Sequence, residues 1–228
     1  MIDESKEAAS RDSIFTAIRA AGPTAAADPA TIAQEALAIL GESVNARPAL
    51  LAEDAADALV QRIDMGLVIG TSCVRIESLR ELPDAVRAFL DEHELKHELQ
   101  VQKSAQLQDL DWQGLNTEID IHQDNTVGLC WGEYGIAETG SFVVHSSAEM
   151  PILLNFLPLY LLAVVPRSKI LSYLDDYALI ANDIAQKGET PRNMCIISGA
   201  SGTTDIEGVL VQGAHGPEIL CLVIVDSL

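Results

Sequence analysis

Through its second half this chain alternates short, strongly apolar runs with helix-length segments, and few architectures admit that order. The apolar runs fall at 126–131, 141–145, 159–165, 193–198 and 219–225, and the helical segments at 170–187 and 204–212. Runs this uniformly apolar read as strands covered on both faces. Strands joined through helices require right-handed crossovers and therefore a mostly parallel sheet. The fold class is α/β, with a mostly parallel sheet and helices on both faces. The first half predicts a helix over 53–63, a strand over 66–70, a helix opened by Pro83 with Val86, Phe89 and Leu90 on one face, and a strand over 98–102. Residues 103–125 are polar and irregular and yield no assignment.

The first 45 residues have a different character. Ile14, Ala17, Ile18 and Ala21 recur at helical spacing, and Asp28-Pro29 opens a second helix with Ile32, Ala36, Leu37 and Leu40 on one side before Gly41. Gly22-Pro23-Thr24 separates the two. The expected organisation is a helical appendage over 1–45 and an α/β domain over 46–228.

With 228 residues, 48% of them apolar, the chain can bury one large core. Its net charge of −20, from 34 acidic and 14 basic residues, repels phosphate backbones and anionic membrane surfaces, so no nucleic acid partner is expected. The longest apolar run, 151–165, is too short for a transmembrane helix and is interrupted by Asn155 and Pro158. Met1-Ile2-Asp3-Glu4 lacks the basic start of an export signal. Cys73, Cys130, Cys195 and Cys221 are widely scattered and suit a reducing compartment, so a cytoplasmic location is expected. Their spacing matches no iron–sulfur site, and neither a cofactor nor a metal is expected in this chain.

In open parallel sheets, ligands bind beyond the carboxyl ends of the strands, where loops leave and helix amides point outward. Four loops are assigned there: Gly70-Thr71-Ser72, residues 132–140, Pro166-Arg167-Ser168-Lys169, and residues 198–204. Converging on one rim, they predict a pocket for a small anionic metabolite. Glu138 is the catalytic candidate: between two apolar segments it can act as base, acid or nucleophile, or it can be a solvated turn carboxylate. Gly70, Thr71, Ser72, Thr139, Gly140, Arg167, Ser198, Ser201, Thr203 and His215 are the ligand-binding candidates. Thr204 to Glu207 also fits a helix capping box, and Asp205 suits a helix start. No Gly-Lys-Ser/Thr follows the glycine-rich loop, so it is not a P-loop. His93-Glu94-Leu95-Lys96-His97 has zinc-protease spacing, with Glu118 or His122 as third ligand, but Asp91 and Glu92 before it indicate an exposed helix end.

Three motifs occur in a fixed order: Gly135-Ile136-Ala137-Glu138-Thr139-Gly140-Ser141, then Ser198-Gly199-Ala200-Ser201-Gly202-Thr203-Thr204-Asp205-Ile206-Glu207, then His215-Gly216-Pro217 before a last apolar strand. Together they resemble the LUD-domain family, in the branch formed by the C proteins of bacterial lactate-utilisation operons. The resemblance covers residue 126 to the end of the chain. It implies a fold like that of the sugar-phosphate isomerases and CoA-transferases. Ala200 and Gly202 stand where the family usually has Pro and Arg, and Leu161 where it commonly has His.

The resemblance implies an accessory component of L-lactate utilisation that acts with iron–sulfur partner proteins in oxidising L-lactate to pyruvate. The clusters are then expected on the partners. The chain itself shows no dinucleotide-binding glycine turn, no flavin signature and no cysteine cluster. The alternative is an independent enzyme or binding protein for a small phosphorylated or CoA-linked metabolite, using Glu138 and the 198–204 loop. The stretch 152–162 is either core or a docking surface.

Overall fold

The structure is a computed structural model that describes residues 4–22, 28–41, 47–120, 127–204 and 210–228. It separates into two compact units, Met1–Arg47 and Pro48–Leu228. In the first, α1 (Glu4–Ala21) and α2 (Pro29–Gly41) are both helical, and α2 starts on the proline, whose missing N–H costs a first turn nothing. Ile14, Ile18, Ile32 and Leu37 remain exposed.

The second unit contains, in chain order, α3 (Ala55–Asp64), β1 (Thr71–Ile76), α4 (Leu82–Glu92), β2 (Glu98–Val101), α5 (Ala105–Gln108), β3 (Asn116–Glu118), β4 (Val127–Trp131), β5 (Tyr134–Ile136), β6 (Ser141–His145), β7 (Tyr160–Pro166), β8 (Ile170–Leu171), α6 (Leu174–Gln186), β9 (Met194–Ile197), β10 (Gly202–Thr204), β11 (Leu210–Gln212) and β12 (Ile219–Val225). Six strands form one sheet in the order β1-β12-β7-β4-β2-β3, parallel at every pairing. β7 and β12 lie inside it, each flanked by a strand on both sides and covered on both faces, which is why their sequences are apolar without alternation.

Side chains alternate across those central strands. Leu161, Ala163, Val165, Leu220, Leu222 and Ile224 pack against Ala58, Leu59 and Ile63 of α3. Leu162, Val164, Cys221, Val223 and Val225 pack on the other face, with Leu82, Val86, Phe89 and Leu90 of α4. Each such large apolar side chain contributes about 1.5–3 kcal/mol on burial. Both helices begin where the sequence provides a start: the Asp54 carboxylate accepts from the amides of Ala56 and Asp57, and Pro83 lies in the first turn of α4.

A second sheet, ordered β8-β5-β6-β9, shares the α3 side of the main sheet. Phe142 and Val144 of β6 join the α3 core, while Ile136 and Val143 face Tyr177 of α6. The runs at 141–145 and 193–198 therefore pair antiparallel to each other outside the parallel sheet. The predicted strand over 66–70 is instead a turn, because Gly66 and Gly70 both adopt positive φ, and β1 begins only at Thr71. The predicted helix over 204–212 is replaced by the antiparallel pair β10 and β11, in which Thr203 faces Val211. Thr204 is thus a strand residue rather than a helix cap, and Asp205 and Glu207 lie outside the described residues. Of 103–125, residues up to 120 form α5, β3 and their connections; His122 lies outside the description.

Candidate functional site

Because the strands of the main sheet are parallel, their starts share one edge. At the starts of β1, β7 and β12 three loops interlock through backbone hydrogen bonds. The Ala200 amide donates to the Ile69 carbonyl (2.9 Å), Leu220 to Gly70 (2.9 Å), Ser201 to Pro217 (2.7 Å) and Gly213 to Ser201 (3.1 Å). Gly70 sits at φ +61°, and a Cβ there would lie 2.5 Å from the Ala200 Cβ. The loop after β5 joins the same rim: Ser198 Oγ donates to the Thr139 carbonyl (3.2 Å), and Arg62 Nε at the end of α3 donates to the Ala137 carbonyl (3.1 Å). Gly140 has φ +69°, and a Cβ would meet Val68 at 2.3 Å.

Gly70, Thr71, Ser72, Thr139, Gly140, Ser198 and Ser201 accordingly meet at one rim. His215 lies on the adjoining exposed turn, and Thr203 is exposed on β10. The rim lies at the amino edge of the main sheet, although the sequence reading placed these loops at the carboxyl edge. They nevertheless converge because β5 and β9 both run antiparallel to β6, so the loops that follow them leave the second sheet on the same side.

Arg167 requires a correction. It follows β7 and so stands at the opposite, carboxyl edge, where it donates to Asp54 Oδ2 (3.0 Å) and approaches Asp226 Oδ1 (3.8 Å). Arg75 binds the same Asp226 through Nε and Nη2 (3.2 and 2.7 Å) and reaches Asp57 through Nη1. Two guanidinium groups and three carboxylates thus tie this part of the edge together, and Asp54, Arg167 and Asp226 among them line a cavity of about 270 Å³. The Arg167 hydrogen bond, followed by the Asp57 amide, holds Asp54 below the usual carboxylate range. Lys169 lies 5.5 Å from the Tyr134 ring centroid rather than on the rim.

Glu138 lies beside the rim, with its carboxylate engaged elsewhere. Its Oε2 accepts from the Leu174 amide (2.9 Å), the first residue of α6, and its own amide donates to the Ser172 carbonyl (3.0 Å). It occupies the position of an anion at a helix start.

Next to the rim opens a cavity of about 500 Å³ whose wall includes Val68, Ile69, Ser72, Glu92, His93 and Ile219. His93 and Glu92 are the residues that sequence reasoning missed as site candidates. His93 follows the end of α4 and packs on Phe89 (ring centroids 4.4 Å) and Tyr160 (5.4 Å). The signal was hidden inside the apparent zinc motif. α4 ends at Glu92, Glu94 turns to φ +54°, and His97 pairs with Asp91 (2.8 Å), so the two imidazoles do not share a helical face. The lining includes the Glu92 carboxylate and the His93 imidazole but neither Lys nor Arg, and glycines, hydroxyls and apolar side chains make up the rest. Ile69 in the cavity wall, with Phe156, Leu159 and Leu210 against Gly216, Gly213 and Gly202 and Val211 opposite Thr203, forms an exposed apolar fringe along the rim. The stretch 152–162 therefore divides, with Leu154, Leu161 and Leu162 in the core and Leu153, Phe156, Leu157 and Leu159 outside.

Residues 41–225 match the LUD domain. The chain belongs to the LUD-domain family. It is 39% identical over 102 residues to the Escherichia coli protein YkgG, covering 44% of each chain. It is 30% identical over 118 residues to lactate utilization protein C of Shouchella clausii, covering 51% of this chain and 52% of that protein. The chain spans about half the length of the curated relatives it matches. A DUF162 family protein from Deinococcus radiodurans shares the fold, with a TM-score of 0.58 at 20% identity over 77% of this chain and all of the other.

In this LUD domain Cys130 packs in the core on the α3 side of the main sheet, with Cys73 and Cys195 partly buried against that core, and Cys221 packs on the α4 side; all four are free thiols. Burial pushes the Cys73 thiol up to about 12 and Cys221 up to about 11. Among the described residues, no group of three or more His, Cys, Asp or Glu side chains is placed to hold a metal ion.

Proposed function

We propose that this protein is an accessory component of L-lactate utilisation, acting with iron–sulfur partner proteins in the oxidation of L-lactate to pyruvate, in a cytoplasmic setting. The observation that carries this reading is the junction of all three family motifs at one rim, fixed by backbone hydrogen bonds and bordered by exposed apolar side chains. Its biological direction comes from relatives called lactate utilization protein C. Electron transfer from lactate needs redox centres, which are then carried by the partners. The rim then serves as the working surface, where an apolar fringe docks a partner and the cavity beside it meets the substrate-bearing side.

Growth of a strain lacking this gene, on L-lactate as sole carbon source, tests the proposal. The wild-type gene should restore growth. An Ile69→Glu, Leu159→Glu variant, altered at two exposed fringe positions, should restore it poorly while remaining folded. Normal growth of the deletion strain on L-lactate would end the reading. Full rescue by the fringe variant at matched protein level would remove the rim from it. Tight binding of a phosphorylated or CoA-linked metabolite by the purified protein alone would instead favour an independent enzyme.

A further inference from the structure

The LUD match starts at residue 41, so α1 and all but the last residue of α2 lie outside it. In α1, Arg11, Ile14, Phe15, Ile18 and Arg19 recur at i, i+3, i+4, i+7 and i+8 and so share one side of the helix. The middle of that side is apolar and its ends are cationic, with both guanidinium groups over the Phe15 ring, 5.6 and 6.0 Å from its centroid. All five residues are exposed. α2 carries the opposite charge and no Lys or Arg. Asp28, just before it, shares one side with Ile32, Glu35 and Ala36, at i, i+4, i+7 and i+8. Ala33 and Leu37 make a second apolar side, because Leu37 lies about 140° around the helix from Ile32.

Helices of 18 and 13 residues are marginal alone in water and draw their stability from an apolar side that becomes covered. Within one chain that cover is missing: over 11–22 and 28–38 no residue is buried, and Ile14 (57%), Ile18 (60%), Ile32 (53%) and Leu37 (69%) are each more than half exposed. One neighbouring helix cannot cover both Ile32 and Leu37. Together with Phe15, these side chains expose roughly 500 Å² of apolar surface per copy, and two copies roughly 1,000 Å², the size at which specific interfaces begin.

We propose that the appendage is a dimerisation element, in which α1 of one copy lies against α2 of a second copy, and the reverse. The chain carries both halves of the match, so a two-fold axis forms the same contact twice, each time with the basic ends of α1 beside Asp28 and Glu35. The second apolar sides, at Ala33 and Leu37, then meet each other across the axis. That division explains why α2 has two apolar sides and α1 has one.

Sedimentation equilibrium on the full chain tests this. The wild type should dimerise with a dissociation constant of about 10 μM or below, and the Ile18→Glu, Leu37→Glu variant should do so at least about thirtyfold more weakly. Both positions lie outside the 48–228 unit, whose melting temperature should not change. A charge exchange separates pairing between copies from pairing within one. Arg11→Glu, Arg19→Glu and, in a second protein, Glu35→Lys should each weaken self-association about tenfold, while an equimolar mixture of the two proteins regains most of it, because each offers the other an opposite charge. A wild type that stays monomeric up to about 100 μM would overturn the proposal, as would a dimer left intact by Ile18→Glu, Leu37→Glu. A mixture that associates no better than its components would overturn it too, and a monomer whose α1 and α2 amides resist hydrogen exchange would assign their cover to the same chain instead.

Discussion

The two edges of the central sheet are secured by different physics. At the amino edge the loops hold one another through backbone hydrogen bonds and through glycines that allow close contact, while His93 lines a cavity and an apolar fringe stays exposed. Near β7 and β12 the carboxyl edge is tied by charge, with Arg75 and Arg167 shared among Asp54, Asp57 and Asp226. The general rule places ligands at carboxyl ends. In this protein the family motifs gather at the other edge, because a second, mixed sheet turns their loops around.

The largest effect should come from filling the close packing of the amino edge. Gly140 and Gly66 share φ +69°, but a Cβ at Gly140 meets Val68 at 2.3 Å and one at Gly66 meets nothing within 4 Å. Gly66→Ala should cost only the backbone strain, about 1 kcal/mol. Gly140→Ala adds overpacking and should cost about 3–4 kcal/mol in urea unfolding. Equal costs for the two would mean that the rim is not close-packed and would break the contrast between the edges.

The carboxyl edge should respond less, and with a dependence on salt and pH. Asp226 is the acceptor shared by both arginines and is 21% exposed, so Asp226→Asn should cost about 1–2 kcal/mol at low salt and less at high salt. Acid should act in the same direction. The folded pKa of Asp54 is lowered, first by Arg167, so its contribution is complete above the ordinary aspartate range and is lost as pH falls through the folded value. Hydrogen exchange of the Ala56 and Asp57 amides, which Asp54 caps, should therefore quicken in acid before that of Ala200 and Leu220. Simultaneous loosening of both pairs would contradict the contrast.

Much of this architecture was legible in the sequence, because it rests on periodicity. The uniform apolarity of β7 and β12 and Pro83 at the start of α4 announce their roles locally. Other features depend on pairing between distant segments. Nothing local tells β6 and β9 to pair antiparallel in a second sheet, and Thr203-Thr204 with Leu210-Val211 fits a hairpin or a helix until the register is known. Arg167 looked like a ligand for anions because Asp54 and Asp226, its partners, lie far away along the chain. His93 was obscured by a motif that is not helical. That Gln100 and Asn155 are fully buried follows from distant neighbours, which a sequence of polar residues does not disclose.

The smallest expected effect concerns Glu138, which borders the amino edge but serves a helix. Its carboxylate accepts from the Leu174 amide, and Asp175 and Asp176 add negative charge in the same first turn. Glu138→Gln keeps an acceptor of similar length and removes only one of these charges, so stability should fall by about 0.5 kcal/mol, and by about 1 kcal/mol in Glu138→Ala. A cap is tolerant of this exchange, whereas a base or nucleophile is not, since the amide can neither take up a proton nor attack. The Gln variant should therefore support growth on L-lactate as well as wild type at matched protein level, with the amides of the first turn of α6 exchanging only slightly faster. Loss of growth in a Gln variant of unchanged stability would return Glu138 to the chemistry of the rim, and would mean that its bond to α6 gives way when the site is occupied.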